Sequence, residues 1–198
     1  MIEVRIHGRG GQGVVIASQI LAEAAFQEGM HVQAFPSFGS ERRGAPVTAF
    51  LRLDRSPIRV RSEVYRPDGV IVLDQGFISL NLVDVFAGLK PGGWILINTA
   101  KAPAEFPDLQ AFSVATVDAS GIARKHRLGT ATAPIVNTVI VGAASELVGI
   151  ANMDNLASAI RHSVPVALEA NVAAALEGAK ALHKIQQSYA ERYAHGRA

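Results

Sequence analysis

The sequence predicts an α/β fold: a Rossmann-like, mostly parallel sheet with flanking helices and a long C-terminal amphipathic helix. Three observations carry this prediction. A strand pattern over residues 2–6 passes through a glycine cluster into a helical pattern. Residues 70–73 are apolar throughout, as expected of a strand covered on both faces. Beyond about residue 120 the chain is rich in alanine and helical in pattern. No linker or repeat interrupts it, so residues 1–198 are expected to form a single domain.

The first half of the chain alternates strands with helices. The glycine cluster is followed by a predicted helix over residues 14–26. Further strands are predicted over residues 31–35, 47–53, 70–73, 94–98 and 112–117, the last of the sheet. A second helix is predicted over residues 77–89, before a Lys-Pro-Gly-Gly turn at residues 90–93.

The second half of the chain is predicted to be helical. Asp118 is the expected N-cap of a short helix, and residues 134–148 form the next, with proline in its first turn. Asp154 is the expected N-cap of a helix through residue 162. The long amphipathic helix is predicted over residues 165–193, with apolar positions alternately four and three apart. That stripe must pack against the protein's own sheet or against a partner chain.

The composition suits a folded protein, because 49% of the residues are hydrophobic and 18% are charged. A disordered chain has too few apolar residues to form a core, and is excluded. No run of about eighteen uncharged apolar residues occurs, so we expect no membrane association. Glu3 and Arg5 interrupt the first apolar segment, which spoils a signal-peptide pattern there. We therefore expect a cytoplasmic protein.

The sequence contains no cysteine, so it offers no thiolate to hold zinc or an iron–sulfur cluster. The formal net charge of +2 is too small to favour a nucleic-acid partner, whose binding requires concentrated positive charge. His7, His126 and His162 lack the spacing of metal ligands. We predict no metal site and no resident redox cofactor on this chain.

The glycine loop, residues 7–13 (His-Gly-Arg-Gly-Gly-Gln-Gly), joins the first strand to the first helix. Its glycines have the G-x-G-x-x-G spacing of dinucleotide folds, in which backbone N–H groups approach an anion. No acidic residue ends the second strand, where a ribose-binding carboxylate is expected, so NAD is disfavoured. A loop kept for close packing and a site for phosphate or a similar anion both stay open. The candidate binding residues are Gly8, Arg9, Gly10, Gly11, Gln12 and Gly13.

The arginine loop, residues 35–46, follows the second strand and contains Arg42 and Arg43. Loops at the carboxyl ends of parallel strands flank the ligand crevice, so this loop is expected beside the glycine loop. Each guanidinium group can bind a phosphate or a carboxylate through two hydrogen bonds. The alternative is a solvated loop in which Glu41 pairs with one of the arginines.

The two loops together resemble the gamma subunit of 2-oxoacid:ferredoxin oxidoreductases, of which the pyruvate and 2-oxoisovalerate enzymes are familiar members. The resemblance spans nearly the whole chain, and the two early motifs together are more specific than either alone. It rests on residues 7–13, 35–47, 67–74, 89–93, 137–143 and 169–171.

The resemblance implies a subunit of an enzyme that oxidatively decarboxylates a 2-oxoacid, pyruvate-like in the leading interpretation, to acyl-CoA and CO₂ with electrons passing to ferredoxin. Such complexes use thiamine diphosphate, Mg²⁺, [4Fe–4S] clusters and coenzyme A, with alpha, beta and delta-type subunits as partners. This chain lacks the Gly-Asp-Gly…Asn arrangement of a thiamine diphosphate site, so we assign it no catalytic residue and expect it to be inactive alone. Its glycine loop, with Arg42 or Arg43, would face phosphates of coenzyme A or acidic residues of a partner subunit.

Two other functions stay open from the sequence. One is a subunit of a complex that oxidises an aryl 2-oxoacid such as phenylglyoxylate or indolepyruvate. The other is a free-standing module that binds a nucleotide or coenzyme A. Asp74 follows a predicted strand and is either a group of the functional edge or the cap of the next turn. Asn137 matches a family position and is expected to be a buried structural amide.

Overall fold

The computed structural model describes residues 1–37, 44–80 and 83–184, in which a seven-stranded sheet forms the central layer. The strands are β1 (Ile2–Arg9), β2 (His31–Pro36), β3 (Pro46–Asp54), β4 (Gly69–Val72), β5 (Trp94–Asn98), β6 (Ser113–Val117) and β7 (His183–Lys184). The helices are α1 (Val14–Gln27), α2 (Gly76–Ser79), α3 (Ala119–Lys125), α4 (Asn137–Val148), α5 (Met153–Ser163) and α6 (Leu168–Lys180). Two 3₁₀ turns, Pro103–Glu105 and Pro107–Leu109, lie between β5 and β6.

The sheet has the order β2-β3-β1-β4-β5-β6-β7 and a parallel centre. β1, β4, β5 and β6 are parallel neighbours, which confirms the predicted α/β class with a Rossmann-like sheet and flanking helices. β3 lies antiparallel between β1 and β2, and β7 adds two antiparallel residues beside β6. The sheet is therefore mixed. The prediction that β6 is its last strand was wrong, because a strand of two residues has no periodicity to detect.

The two faces of the sheet are covered differently. One face packs against α1 and α4, while α5 and α6 pack on these two helices, and this helical side contains the larger hydrophobic core. The other face has a smaller apolar cluster that covers only β4, β5 and β6. Beside that cluster, the same face of β1 and β3 carries polar side chains such as Glu3, Arg5 and Arg52, which alternate with core residues. Every residue of β4 and β5 is buried, as their continuous apolar runs predicted.

Helices α4 and α6 approach each other closely because glycine lies at their contact. A Cβ atom on Gly142 would overlap the carbonyl oxygen of Ala175, and one on Gly178 would overlap that of Val139. A buried hydrogen bond from Thr138 Oγ1 to Asn171 Oδ1 (3.0 Å) fixes the position of α6 along the axis of α4. Val172 and Ala175 of the predicted apolar stripe are buried within the protein's own helical layer, whereas Leu168 is 40% exposed. In the described part of the chain no helix is long and apolar enough to span a bilayer.

Four predicted helices differ in their limits. Helix α4 begins at Asn137, not at residue 134, because Pro134 forms an isolated β-bridge with Gly129 before the helix. The helix expected over residues 77–89 is confined to α2, and residues 83–89 form turns in which Arg5 Nη2 donates to the carbonyl oxygens of Val85 (3.0 Å) and Ala87 (2.6 Å). The N-cap of α5 is Asn152, not Asp154, since Asn152 Oδ1 accepts from the N–H of Asn155 at 2.8 Å.

The long C-terminal helix is present as α6 but ends at Lys180 instead of running over residues 165–193. Ala167 has left-handed backbone angles (φ 52°), which sets the start of α6 at Leu168, three residues after Pro165. The predicted residues 185–193 lie outside the described residues.

Replacing Gly142 with alanine tests the close crossing of α4 and α6. Although alanine favours a helix by about 1 kcal/mol over glycine, we expect Gly142→Ala to lower the free energy of unfolding by about 1–3 kcal/mol. The reason is that the methyl group meets backbone of α6, which cannot rotate away. Urea denaturation measures the effect, with exposed Glu146→Ala on the same helix as a control that changes by less than about 0.5 kcal/mol. A stabilised Gly142→Ala protein would contradict the crossing.

Candidate functional site

The candidate site lies where the parallel strands end. β1 runs to Arg9, so residues 7–9 of the predicted glycine loop are strand residues paired with β3, and β4 is followed directly by Leu73 and Asp74. In open α/β sheets this carboxyl edge is where ligands bind, because loops and helix N-termini meet there. The structure thus brings the sequence-predicted glycine loop and Asp74 to one place.

The glycine loop packs tightly between α1, α4 and the end of β4. A Cβ atom on Gly8 would lie 2.6 Å from Val14 Cγ2 and 3.1 Å from Leu73 Cβ. Gly11 and Gly13 have positive φ angles of 96° and 80°, which glycine adopts without strain. Close packing of the loop therefore requires these glycines, and so would the approach of a ligand to its backbone.

Helix α1 begins directly after Gly13 without a side chain to cap it. The first N–H groups of a helix lack partners within it and carry partial positive charge, so this end can receive an anion. Asn137, the first residue of α4, is 3% exposed and lies against Gly13. Its Oδ1 accepts from the N–H of Thr138 (2.9 Å), whereas its Nδ2 makes no hydrogen bond within the described residues. Asn137 is thus buried, as expected, with a donor beside the glycine loop.

Gln12 and Gly10 hold the loop in shape. Gln12 Oε1 accepts from the backbone N–H of Arg9 at 2.7 Å. The backbone N–H of Gln12 donates to the carbonyl oxygen of Arg9 at 3.0 Å. The N–H of Gly10 donates to Ala45 (2.9 Å), and that of Gly44 donates to Gly10 (3.1 Å). These bonds attach the end of the arginine loop to the glycine loop, as the topology of an open sheet predicts.

Arg9 is already paired inside the protein. Its Nε lies 2.6 Å from Asp74 Oδ2, its Nη1 donates to the carbonyl oxygen of Gly44 (3.3 Å), and its guanidinium lies 5.1 Å from the ring centroid of Phe77. Asp74 Oδ1 accepts from the N–H of Gly76 at 2.8 Å, so Asp74 caps the following turn as well as pairing with Arg9. The charge of Arg9 is therefore balanced, and an anion here would meet mainly backbone N–H groups.

Arg42 and Arg43 fall outside the described residues, so their contacts stay predictions. The described residues on either side are anchored near the site. The N–H of Ser37 donates to the carbonyl oxygen of Thr48 at 2.8 Å, and Gly44 bonds to Gly10.

A polar network at the same edge escaped prediction. Asn98 Nδ2 donates to the carbonyl oxygen of Leu73 (2.8 Å) and to Ser120 Oγ (3.0 Å), and Thr99 Oγ1 donates to Gln75 Oε1 (2.7 Å). These bonds tie together the carboxyl ends of β4, β5 and β6. The position of Asn98 and Thr99 directly after a buried strand was the available signal.

His7 in β1 is a buried titratable group two residues before Arg9. Its Nδ1 lies 3.2 Å from Thr48 Oγ1, and its buried Nε2 has no partner among the described residues. Burial, and to a smaller extent the charge of Arg5, lowers the pKa of His7 to about 3. His126 and His162 pair with Glu177 (2.8 Å) and Glu23 (2.7 Å). In the ranges that the structure describes, no three acidic or imidazole side chains are placed to hold a metal ion.

Acid is expected to destabilise the fold through His7. An unfolded imidazole binds a proton below about pH 6.5, whereas folded His7 stays neutral down to a pKa of about 3. Its contribution to stability is therefore complete above about pH 6.5 and is lost as the pH falls from there towards 3. His7→Asn should flatten the pH dependence of the free energy of unfolding in that window, measured by urea denaturation. Exposed His31→Asn is the control, and equal slopes for wild type and His7→Asn would contradict the assignment.

Gly13→Ala is expected to destabilise the protein more than Gly11→Ala. Both positions have positive φ, but only at Gly13 would the new Cβ meet the amide of Asn137. We expect a difference of about 1–3 kcal/mol in the free energy of unfolding. The difference should shrink in an Asn137→Ala background, because the obstructing amide is gone. A double-mutant cycle by urea denaturation measures this, and strictly additive effects would contradict the contact.

Comparison with known proteins finds relatives along most of the chain. Residues 3–181 match the family described as "Pyruvate ferredoxin/flavodoxin oxidoreductase". The chain is 50% identical to the "Pyruvate/ketoisovalerate oxidoreductases common subunit gamma" of Thermococcus kodakarensis over 181 residues, which are 89% of this chain and 95% of that protein. It is 51% identical to "Pyruvate synthase subunit PorC" of Methanothermobacter marburgensis over 165 residues, 83% of this chain and 88% of that one.

A solved structure has the same fold. Pyruvate oxidoreductase subunit PORC from Thermotoga maritima superposes with a TM-score of 0.77 at 33% identity, covering 93% of this chain and 98% of that chain. The resemblance inferred from the two loops is thereby confirmed, and the aryl 2-oxoacid and free-standing alternatives are not favoured. The chain belongs to the pyruvate ferredoxin/flavodoxin oxidoreductase family, among the gamma subunits of its oxidoreductase complexes.

Proposed function

We propose that this chain is the gamma subunit of a complex that oxidatively decarboxylates pyruvate or a similar 2-oxoacid. The 2-oxoacid and coenzyme A yield acyl-CoA and CO₂, and two electrons pass to ferredoxin. The observation that carries the proposal is 50% identity over 95% of the length of a pyruvate/ketoisovalerate common gamma subunit. The match covers nearly the whole length of a subunit, which supports a role for this chain inside a complex and not as a free-standing protein.

The reacting cofactors are proposed to belong to partner chains. The sequence has no cysteine, so [4Fe–4S] clusters need ligands from beta and delta-type subunits. Thiamine diphosphate and Mg²⁺ are assigned to the alpha and beta subunits, since the sequence offers no Gly-Asp-Gly…Asn arrangement. We assign no catalytic residue to this chain, expect it to be inactive alone, and propose the cytoplasm as its compartment.

The glycine loop is proposed to contribute to the coenzyme A region or to a contact with a partner subunit. Coenzyme A supplies the thiol that accepts the acyl group when it is bound. Its phosphates fit the loop chemically, because α1 starts without a side-chain cap and Asn137 Nδ2 lies beside it. Arg9 and Gln12 shape the loop through their hydrogen bonds, whereas Arg42 and Arg43 are the proposed charged contacts.

Purification of the tagged chain from its native source tests the proposed function. We expect larger subunits to copurify, together with iron–sulfur absorbance and 2-oxoacid-dependent reduction of ferredoxin that requires coenzyme A. The isolated chain should show neither absorbance nor activity. Recovery of this chain alone, with no such partners, would contradict the proposal.

Arginine substitutions test the contact with coenzyme A. In the assembled complex, Arg42→Ala or Arg43→Ala is expected to weaken coenzyme A binding about tenfold, the effect of losing one charge-assisted hydrogen bond. The KM for coenzyme A and its Kd by calorimetry are the measurements, with the KM for the 2-oxoacid and the exposed Arg124→Ala as controls. Unchanged affinity in both variants would remove the arginines from this role and leave the subunit contact.

A further inference from the structure

Residues 55–66, which we call the arginine strap, connect β3 to β4 without helix or strand. The strap crosses the polar face of the sheet and contains four exposed arginines. These are Arg55, Arg59, Arg61 and Arg66. Irregular connections of this length are uncommon in compact domains and usually serve a function. The family's two characteristic loops lie elsewhere, so the function proposed above leaves the strap unexplained.

The strap is held firmly against the sheet. Arg52, which is 1% exposed, donates from Nη2 to the carbonyl oxygen of Glu63 at 3.2 Å while its Nε pairs with Glu3 at 2.9 Å. Ser37 Oγ donates to Glu63 Oε1 at 2.8 Å, and Val64 is 1% exposed. Because the backbone is already fixed, a partner that binds the strap need not order it, which lowers the cost of association.

The four arginines of the strap carry unbalanced charge. Within residues 1–37, 44–80 and 83–184, none of their guanidinium groups has a hydrogen-bond or carboxylate partner. By contrast, Arg9, Arg52 and Arg161 each pair with a carboxylate. The one acid of the strap, Glu63, is engaged by Ser37. The strap thus concentrates positive charge on a chain whose net charge is only +2.

Exposed apolar side chains accompany this charge. Tyr65 is 67% exposed and Val60 is 43% exposed, both within the strap. Tyrosine and arginine are enriched at the energetic centres of protein interfaces, where an aromatic ring gives contact area and a guanidinium binds a carboxylate through two hydrogen bonds. Nucleic acid would need a broader field of positive charge than this chain has. The combination therefore favours a protein with clustered Asp and Glu side chains.

We propose that the arginine strap is a docking surface for an acidic region on another protein chain of the complex. This rests on the proposed function, which supplies the partner chains. Arg59 and Arg61, two residues apart, form the charged centre, and Tyr65 and Val60 provide the apolar contact. The strap contacts the arginine loop at Ser37 but contains none of the residues of either family loop.

Charge reversal tests the docking surface in the complex. We expect the double variant Arg59→Glu/Arg61→Glu to weaken assembly at least tenfold, and to lower the salt concentration at which this chain dissociates. Native mass spectrometry across a salt series measures both. Lys101→Glu/Arg124→Glu is the control, because both residues are exposed and lie outside the strap. The thermal midpoint of the isolated variants must match wild type, which separates lost docking from misfolding.

Cross-linking identifies the partner surface independently of affinity. Arg59→Lys/Arg61→Lys keeps the charge and introduces amines that a carbodiimide joins to a carboxylate in direct contact. We expect cross-linked peptides rich in Asp and Glu from another subunit of the assembled complex. Cross-links only within this chain, or assembly and salt dependence unchanged by charge reversal, would overturn the proposal. A wild-type chain that copurifies with no subunit at all would instead refute the proposed function.

Discussion

The close packing of α4 is the constraint on which both the core and the candidate site depend. At its first residue Asn137 lies against Gly13, and further along Gly142 lies against the backbone of α6 at Ala175. A side chain at either glycine would push α4 away from its neighbours, and a close-packed core leaves no room for that shift. The position of the glycine loop at the carboxyl edge is therefore set by core packing. A requirement for glycine there does not by itself separate a ligand role from a packing role.

The sheet face that packs against the helices is held by hydrophobic contacts. On the other face, arginine side chains attach the irregular segments. Arg5 holds the segment after α2 through two carbonyl oxygens, Arg9 holds the turn at Asp74, and Arg52 holds the strap at Glu63. A guanidinium group offers five donors and keeps its charge at all relevant pH values, so it suits the attachment of irregular backbone. Irregular backbone is thereby attached to a face that carries few helices.

Most strands were predictable because their apolar residues follow local rules of alternation and burial, as in β4 and β5. The errors arose where distant groups decide the structure. Where a helix was expected after residue 77, residues 83–89 form turns instead, and Arg5, far away in sequence, donates to two carbonyl oxygens of these turns. The glycine loop was located correctly, yet the pairing of Arg9 with Asp74, across 65 residues, has no local signal. The placement of α6 depends on one left-handed residue, Ala167, whose side chain gives no warning of it.

The sheet topology has a consequence for synthesis of the chain. β1 lies between β3 and β4, both of which follow it in sequence, and its neighbours are complete only at Val72. Until the ribosome has released that residue, β1 can pair with β3 on one side, but its backbone groups facing β4 lack their native partners. A nascent chain shorter than this therefore carries one unpaired edge of its central strand, which favours aggregation until β4 is added.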